Sequence, residues 1–242
     1  MELAAAVDGG HGRAGVGLLT IAALIPAFNA ASSVAAVVEG VRPQLDTVMV
    51  VDDGSADETA RVAAAAGAVV ERHAVNQGKG AALLTGFRAV AARGATHALT
   101  IDADGQHLPD QIPALIAASE RDPTALVVGV RQKSGHTIRW INRVGNRVAD
   151  TLMARIARQP LPDTQCGFRV YPIASVLELG AAGTRFDFET EILLRAARRG
   201  IPVVGVPVRV HYPPVAERVS HYRPVVDTLR IIRTVLRVLA AG

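Results

Sequence analysis

Hydrophobic and polar positions alternate along the chain in blocks. Short apolar runs rich in valine, isoleucine, leucine and alanine predict strands over residues 19–26, 47–52, 68–73, 96–101, 126–130 and 203–208. Between them, apolar residues at three- and four-residue intervals predict helices over 32–41, 57–66, 79–92 and 110–120. Continuous apolar strands separated by helices are the pattern of a mostly parallel sheet covered on both faces, so the expected class is α/β. Beyond Arg131 the rhythm changes. Residues 138–157 read as one long helix, Gln159-Pro160-Leu161-Pro162 breaks the chain, and a further helix is expected over 186–199. Residues 225–241 read as amphipathic, with Arg230, Arg233 and Arg237 on one face and Leu229, Ile232, Leu236 and Leu239 on another. Such a helix suits a membrane interface, and equally a place docked on the sheet with its arginines in water.

Composition narrows the class. With 242 residues, half of them apolar and a fifth charged, the chain can bury a sizeable core, which excludes global disorder. No internal repeat or long linker divides it. The expected organisation is a loose tail over 1–17, one domain over 18–224 and the terminal helix over 225–242. No apolar run is long enough to span a bilayer, and the first residues lack the basic start and apolar core of a signal peptide. A single cysteine, Cys166, excludes an internal disulfide and fits a reducing compartment. Cytoplasmic placement is expected, with peripheral attachment to the inner face of the membrane left open by the terminal helix.

The net charge of +4 is unevenly spread. From Arg195 to Gly242, nine arginines stand against Glu217 and Asp227, a balance of +7, which leaves −3 on the other 194 residues. That polarity suits an anionic partner near the C-terminus, a phosphate or a membrane surface. Nucleic acid is set aside, because the basic stretch lacks interleaved aromatics and no binding module is recognisable.

Ligands on such sheets bind at the carboxyl ends of the strands. There this chain places Pro26-Ala27-Phe28-Asn29, Asp52-Asp53-Gly54-Ser55, Asn76 to Gly80, Asp102 to His107, and Gly129-Val130-Arg131. The most specific cluster is Asp102-Ala103-Asp104. Side chains two apart on an extended segment point the same way, and Mg²⁺ or Mn²⁺ prefers oxygen ligands, often one or two carboxylates plus substrate phosphates. The chain is therefore expected to handle a diphosphate. His107 reads as a packing or turn residue. Asp52 and Asp53 are candidate acceptors for a base or ribose, Gly54 permits a tight turn, and Asp57 is an expected helix N-cap.

Asn76-Gln77-Gly78-Lys79-Gly80 resembles half of a phosphate loop, its backbone N–H groups at a helix N-terminus. Lys79 there is expected to meet Asp53, a phosphate or solvent. Asp187, with a phenylalanine on either side, and Glu191 lie one helical turn apart, as a general base, as a means of orienting arginines, or as a solvated face. Arg131, Arg139, Arg143, Arg169, Arg218 and Arg223 are candidate phosphate partners.

Taken together, these clusters resemble family 2 glycosyltransferases of the GT-A fold, in particular the dolichyl-phosphate mannose or glucose synthase-like branch. The likeness is carried by Pro26-Ala27-Phe28-Asn29, Val51-Asp52-Asp53-Gly54-Ser55, Asn76-Gln77-Gly78-Lys79-Gly80, Asp102-Ala103-Asp104-Gly105-Gln106-His107, Cys166-Gly167-Phe168-Arg169 and Phe188-Glu189-Thr190-Glu191, in the family's order. The resemblance implies a GDP- or UDP-linked sugar donor. Pro26, Ala27, Phe28, Asn29, Asp52, Asp53, Lys79, Asp102 and Ala103 would bind it, and Asp102, Asp104 and Gln106 would hold Mg²⁺ or Mn²⁺ on the diphosphate. It also implies a polyprenyl phosphate or other lipid acceptor, its phosphate gripped by Arg131, Arg143, Arg218 and Ser220. The catalytic set would be Asp104, Asp187, Glu189 and Arg131. Two features depart from the pattern: Ala30 replaces a frequent glutamate, and the transmembrane helices of many bacterial relatives are absent.

Three alternatives accompany that reading. The same fold and donor would serve a hydroxyl acceptor (a glycan, lipid or pigment) with Asp187 or Glu189 as base. An inactive nucleotide-sugar-binding module would fit Ala30. A phosphoacceptor signalling domain would use Asp52-Asp53 but leaves Asp102-Ala103-Asp104 unexplained.

Overall fold

Over residues 21–27 and 48–52, where valine, isoleucine and alanine run together, the backbone is extended and buried almost throughout. A computed structural model describes residues 19–132, 157, 159, 161–211 and 224–240, without the side chains of 224–228. Its strands are β1 (Ile21–Ala27), β2 (Val48–Asp52), β3 (Val69–Arg72), β4 (His97–Thr100), β5 (Leu126–Arg131), β6 (Arg169–Pro172) and β7 (Val203–Val208). The helices are α1 (Val34–Val41), α2 (Thr59–Ala65), α3 (Lys79–Ala91), α4 (Ile112–Arg121), α5 (Ile173–Glu178), α6 (Asp187–Arg198) and α7 (Pro224–Ala240). The helix expected over 138–157 lies almost wholly outside the described residues.

The seven strands form one mixed sheet in the order β3-β2-β1-β4-β6-β5-β7. All pairings are parallel except those of β6, which runs antiparallel between β4 and β5. This is the mostly parallel α/β sheet expected, with one antiparallel strand inside it. β6 and α5 were not expected, because Arg169-Val170-Tyr171-Pro172 opens on a charge and closes on a proline, and a six-residue helix shows no period.

The order places the site. β1 pairs with β2 on one side and β4 on the other, so the topology switches direction at β1. A crevice outside the carboxyl ends at such a switch is where doubly wound sheets bind ligands. Pro26 marks the opening. β4 pairs with β1 only as far as Leu24↔Thr100, so proline enters this central strand where the neighbour on that side has ended.

The helices pack as their apolar faces require. α3 lies on β1 and β2 and meets α5 and α6, while α4 covers β5, β6 and β7. The terminal helix α7 rests on α6 rather than on the sheet. No described helix is long and apolar enough to cross a membrane.

Candidate active site

The loops after β1 and β2 are laced together. Asn29 adopts φ 49°, a conformation asparagine tolerates better than most residues. Its N–H donates to Ser55 Oγ at 2.8 Å, and its Oδ1 accepts from the Ala56 N–H at 2.9 Å. Ala30 N–H donates to Thr59 Oγ1 at 2.8 Å, so the backbone at the departing position is held without a glutamate. Gly54 turns at φ +73°, and a Cβ there would lie 2.5 Å from the Val75 backbone. Asp57 falls two residues before α2 instead of capping it directly. Its Oδ1 accepts from the Thr59 N–H at 3.0 Å, and its Oδ2 ties down Ala31.

The two acids of this turn have separate fates. Asp53 is buried, and its oxygens accept from Gln77 N–H at 2.8 Å and Gly78 N–H at 2.7 Å, with His73 Nδ1 also 2.7 Å away. The amides expected to cradle a phosphate thus bind Asp53 instead, which corrects the phosphate-loop reading. Asp52 is also buried. Its Oδ1 accepts from Ser55 N–H at 3.0 Å. Arg72 Nε stands 3.1 Å from Oδ2 without the alignment to donate, leaving that oxygen a buried acceptor with no hydrogen bond.

Beside them, Lys79 at the start of α3 meets the acids of two other elements. Its Nζ lies 2.7 Å from Asp102 Oδ1 and 3.0 Å from Glu189 Oε2, so its partners are not Asp53 or solvent. Burial opposes the ammonium charge, but Asp102 and Glu189 outweigh it and hold Lys79 above its ordinary value. Asp102 is held low by Lys79 against its own burial. Asp104 moves the other way, raised by burial and by the neighbouring Asp102 charge. Its Oδ1 accepts from Gln106 N–H at 3.0 Å, and Gln106 O accepts from His211 N–H. Gly167 lets these groups gather, because a Cβ there would sit 2.6 Å from Asp102 Oδ2 and 2.9 Å from Lys79 Nζ.

The remaining candidates divide between site and scaffold. Glu189 keeps one buried oxygen, Oε1, without a hydrogen bond. Asp187 and Glu191 are buried rather than solvated. Asp187 accepts from Thr234 Oγ1 at 3.0 Å, while Glu191 accepts from the Ala182 and Gly183 N–H groups and from Arg195. Arg169 is fully buried, donating to the carbonyls of Cys166, Thr164 and Glu189, which removes it from the phosphate candidates. Arg131 forks onto Asp163 at 2.6 and 2.8 Å. His107 lies against the Phe168 ring, as a packing residue would, and burial pushes the adjacent Cys166 thiol up to about 12. Pro26, Ala27 and Ala103 are buried at the strand ends, with Phe28 half-buried. Arg139, Arg143, Arg218, Ser220 and Arg223 lie outside the described residues.

His73, Arg72 and Asp163 were not singled out from the sequence. The first two follow or close a strand at its carboxyl end, which was the available signal. Asp163 had none beyond following a proline break.

No three His, Cys, Asp or Glu side chains among the described residues form a metal cluster by themselves. Asp102 and Asp104 nonetheless fit a hard cation. The charge of one raises the other, and an ion completing its shell with substrate phosphates needs only one or two carboxylates.

Comparison with known proteins identifies the family and the fold. Residues 22–180 match the model of glycosyl transferase family 2. The polyprenol monophosphomannose synthase of Mycolicibacterium smegmatis is 30% identical over 200 residues, 76% of this chain and 75% of that protein. The UDP-N-acetylglucosamine–dolichyl-phosphate N-acetylglucosaminyltransferase of Methanococcus voltae is 27% identical over 212 residues, 78% of this chain and 84% of that one. Glucosyl-3-phosphoglycerate synthase of Mycobacterium tuberculosis, solved with Mn²⁺, UDP and glucosyl-3-phosphoglycerate, superposes with a TM-score of 0.71 at 24% identity. The superposition covers 92% of this chain and 80% of that one, and it shows the shared fold.

Proposed function

The chain belongs to glycosyl transferase family 2, and from that premise we propose that it transfers a sugar from a GDP- or UDP-linked donor to a polyprenyl phosphate, with inversion at the sugar carbon. The observation that carries this is the acid pair Asp102 and Asp104 at the β4 end, beside a lysine already neutralised by Asp102 and Glu189. Relatives named for polyprenol and dolichyl-phosphate sugar transfer support the acceptor class.

Each residue then has a task. Asp52, whose Oδ2 pairs with Arg72 but accepts no hydrogen bond, is assigned to the nucleoside, next to the turn built by Asn29 and Ser55. Asp104, with Asp102 and the Gln106 segment, would hold Mg²⁺ or Mn²⁺. Such an ion supplies charge stabilisation to the departing nucleoside diphosphate. The bond from the sugar carbon to the diphosphate breaks as one from the acceptor phosphate oxygen forms on the opposite face. An acceptor phosphate is already deprotonated at neutral pH, so no strong base is required. Arg131, with Arg143, Arg218 and Ser220, is assigned to that phosphate; Arg131 would share its guanidinium between the phosphate and Asp163.

One observation favours a second reading. Glu189 Oε1 is buried without a donor, and an acceptor hydroxyl would supply one, making Glu189 a general base. Asp187, engaged by Thr234, is the weaker base candidate.

The test is transfer of radiolabelled sugar to polyprenyl phosphate with and without Mn²⁺, beside a thermal-shift screen of nucleoside diphosphates that identifies the base. Asp104→Asn is expected to lower turnover about a hundredfold or more, since several kcal/mol of leaving-group stabilisation depend on that carboxylate. Undiminished turnover by Asp104→Asn, or by chelator-treated enzyme, would overturn the metal assignment. Labelling of hydroxyl acceptors alone would replace the phosphate acceptor by the second reading.

A further inference from the structure

Among the described residues six large apolar side chains are exposed, and four of them lie on α7. Leu229, Ile232, Leu236 and Leu239 form one stripe, at 56, 49, 59 and 41% exposure. This is not the face by which the helix docks. Thr234 and Val238 are buried against α6, while the leucines point elsewhere. Polar contacts set that rotation: Thr234 donates to Asp187, Arg198 donates to Val238 O at 3.2 Å, and Arg237 lies 3.7 Å from Glu191.

The contacts run in the same direction along both helices. Thr234 meets Asp187, the first residue of α6, and Arg237 meets Glu191 one turn on. The ten residues from Pro224 to Arg233 therefore extend about 15 Å beyond the first turn of α6. That is the end carrying Glu189, which pairs with Lys79. The apolar stripe thus begins near the catalytic end of the molecule.

We propose that α7 lies on an anionic lipid surface, with Leu229, Ile232, Leu236 and Leu239 in the acyl boundary and Arg230 and Arg233 at the headgroup phosphates, while Arg237 stays on the docking side with Glu191 and Thr234. Charge selects lipid as the occupant. Arg230 and Arg233 follow one edge of the stripe, and Asp227 is the helix's single acid. Arginine stems reach from an apolar face to headgroups, and anionic lipid attracts each such charge. The proposal extends the polyprenyl-phosphate reading by giving the acceptor's membrane a docking face, but its own chemistry is independent of that reading.

The full chain is sedimented with phosphatidylcholine vesicles, with and without about 30% phosphatidylglycerol. Binding to the anionic vesicles is expected, weaker by about tenfold or more on phosphatidylcholine alone. Leu229→Glu combined with Leu236→Glu is expected to weaken it about tenfold or more with an unchanged melting temperature, since both side chains are exposed. The same variant should transfer sugar normally to a short, water-soluble prenyl phosphate. Absence of wild-type binding, equal binding to both vesicles, or undiminished binding by the double variant would overturn the proposal. So would light scattering that shows a dimer split by the double variant. Failure of the wild type in the soluble transfer assay counts against the acceptor reading alone.

Discussion

At the residue scale, adjacent carboxylates with equal standing in the sequence acquire different chemistry. Asp52 and Asp53 follow one another at a strand end, where successive side chains point to opposite faces. Asp53 faces the loop that begins α3 and spends both oxygens on its amides. Asp52 keeps one oxygen without a hydrogen bond. No spacing rule separates them, because the partners of Asp53 arrive from 24 and 25 residues away. Lys79 is the converse case, one cation satisfying acids from two elements. Removing one member of a buried ion cluster leaves uncompensated charge, which typically costs about 3–5 kcal/mol. Lys79→Met is therefore expected to lower stability in urea denaturation at neutral pH by about that amount. Mn²⁺ should restore more stability to the variant than it adds to the wild type, because Asp102 has lost its cation. A variant as stable as the wild type would show that Asp102 and Glu189 do not depend on Lys79.

At the element scale, α6 serves two masters within five residues. Glu189 turns to the site, while Asp187 and Glu191 anchor the preceding loop and the terminal helix. The expected one-face pairing of Asp187 and Glu191 is real, but it faces α7 and residues 182–183. Thr234→Val preserves the shape of the docking face and leaves Asp187 Oδ2 without that donor. The expected cost is about 1–3 kcal/mol, with earlier protease cleavage near residue 224 as α7 loosens. Unchanged stability and cleavage would mean that Val238 and the arginines suffice.

Elements were legible where a single local rule determines them. The strand expected over 203–208 forms as Val203–Val208, and the other parallel strands shift by no more than two residues at either end; the inner ones are buried and apolar over most of their length, while the edge strands β3 and β7 keep short valine-rich runs that are partly exposed. β6 was not legible: its buried Arg169 is satisfied by carbonyls from three separate places, a tertiary arrangement with no local signature. The amphipathic pattern of α7 was legible, but which face docks was decided by Thr234 and Asp187, a pair 47 residues apart.

At the scale of the whole molecule, the sheet joins a parallel half, β3-β2-β1-β4, to a half that begins with the antiparallel β6. The ion pair of Arg131 and Asp163 fastens the β5 end to the loop entering β6, within that second half. Burial would raise Asp163, but the Arg131 hydrogen bonds and charge outweigh it and hold the carboxyl below its ordinary value. A depressed folded-state value means that the pair stabilises the protein fully above about pH 4, where the unfolded aspartate is also ionised. That stability is lost as pH falls through the lower folded value. Asp163→Asn removes this contribution while nearly preserving shape. It should cost about 1.5–3 kcal/mol at pH 7, the range for a hydrogen bond to a charged group. Melting curves from pH 8 down to about 3 should show the wild type losing stability more steeply than the variant below pH 4, so that the two converge. Parallel curves over that range would show that the β5 end and the loop entering β6 draw nothing from this pair.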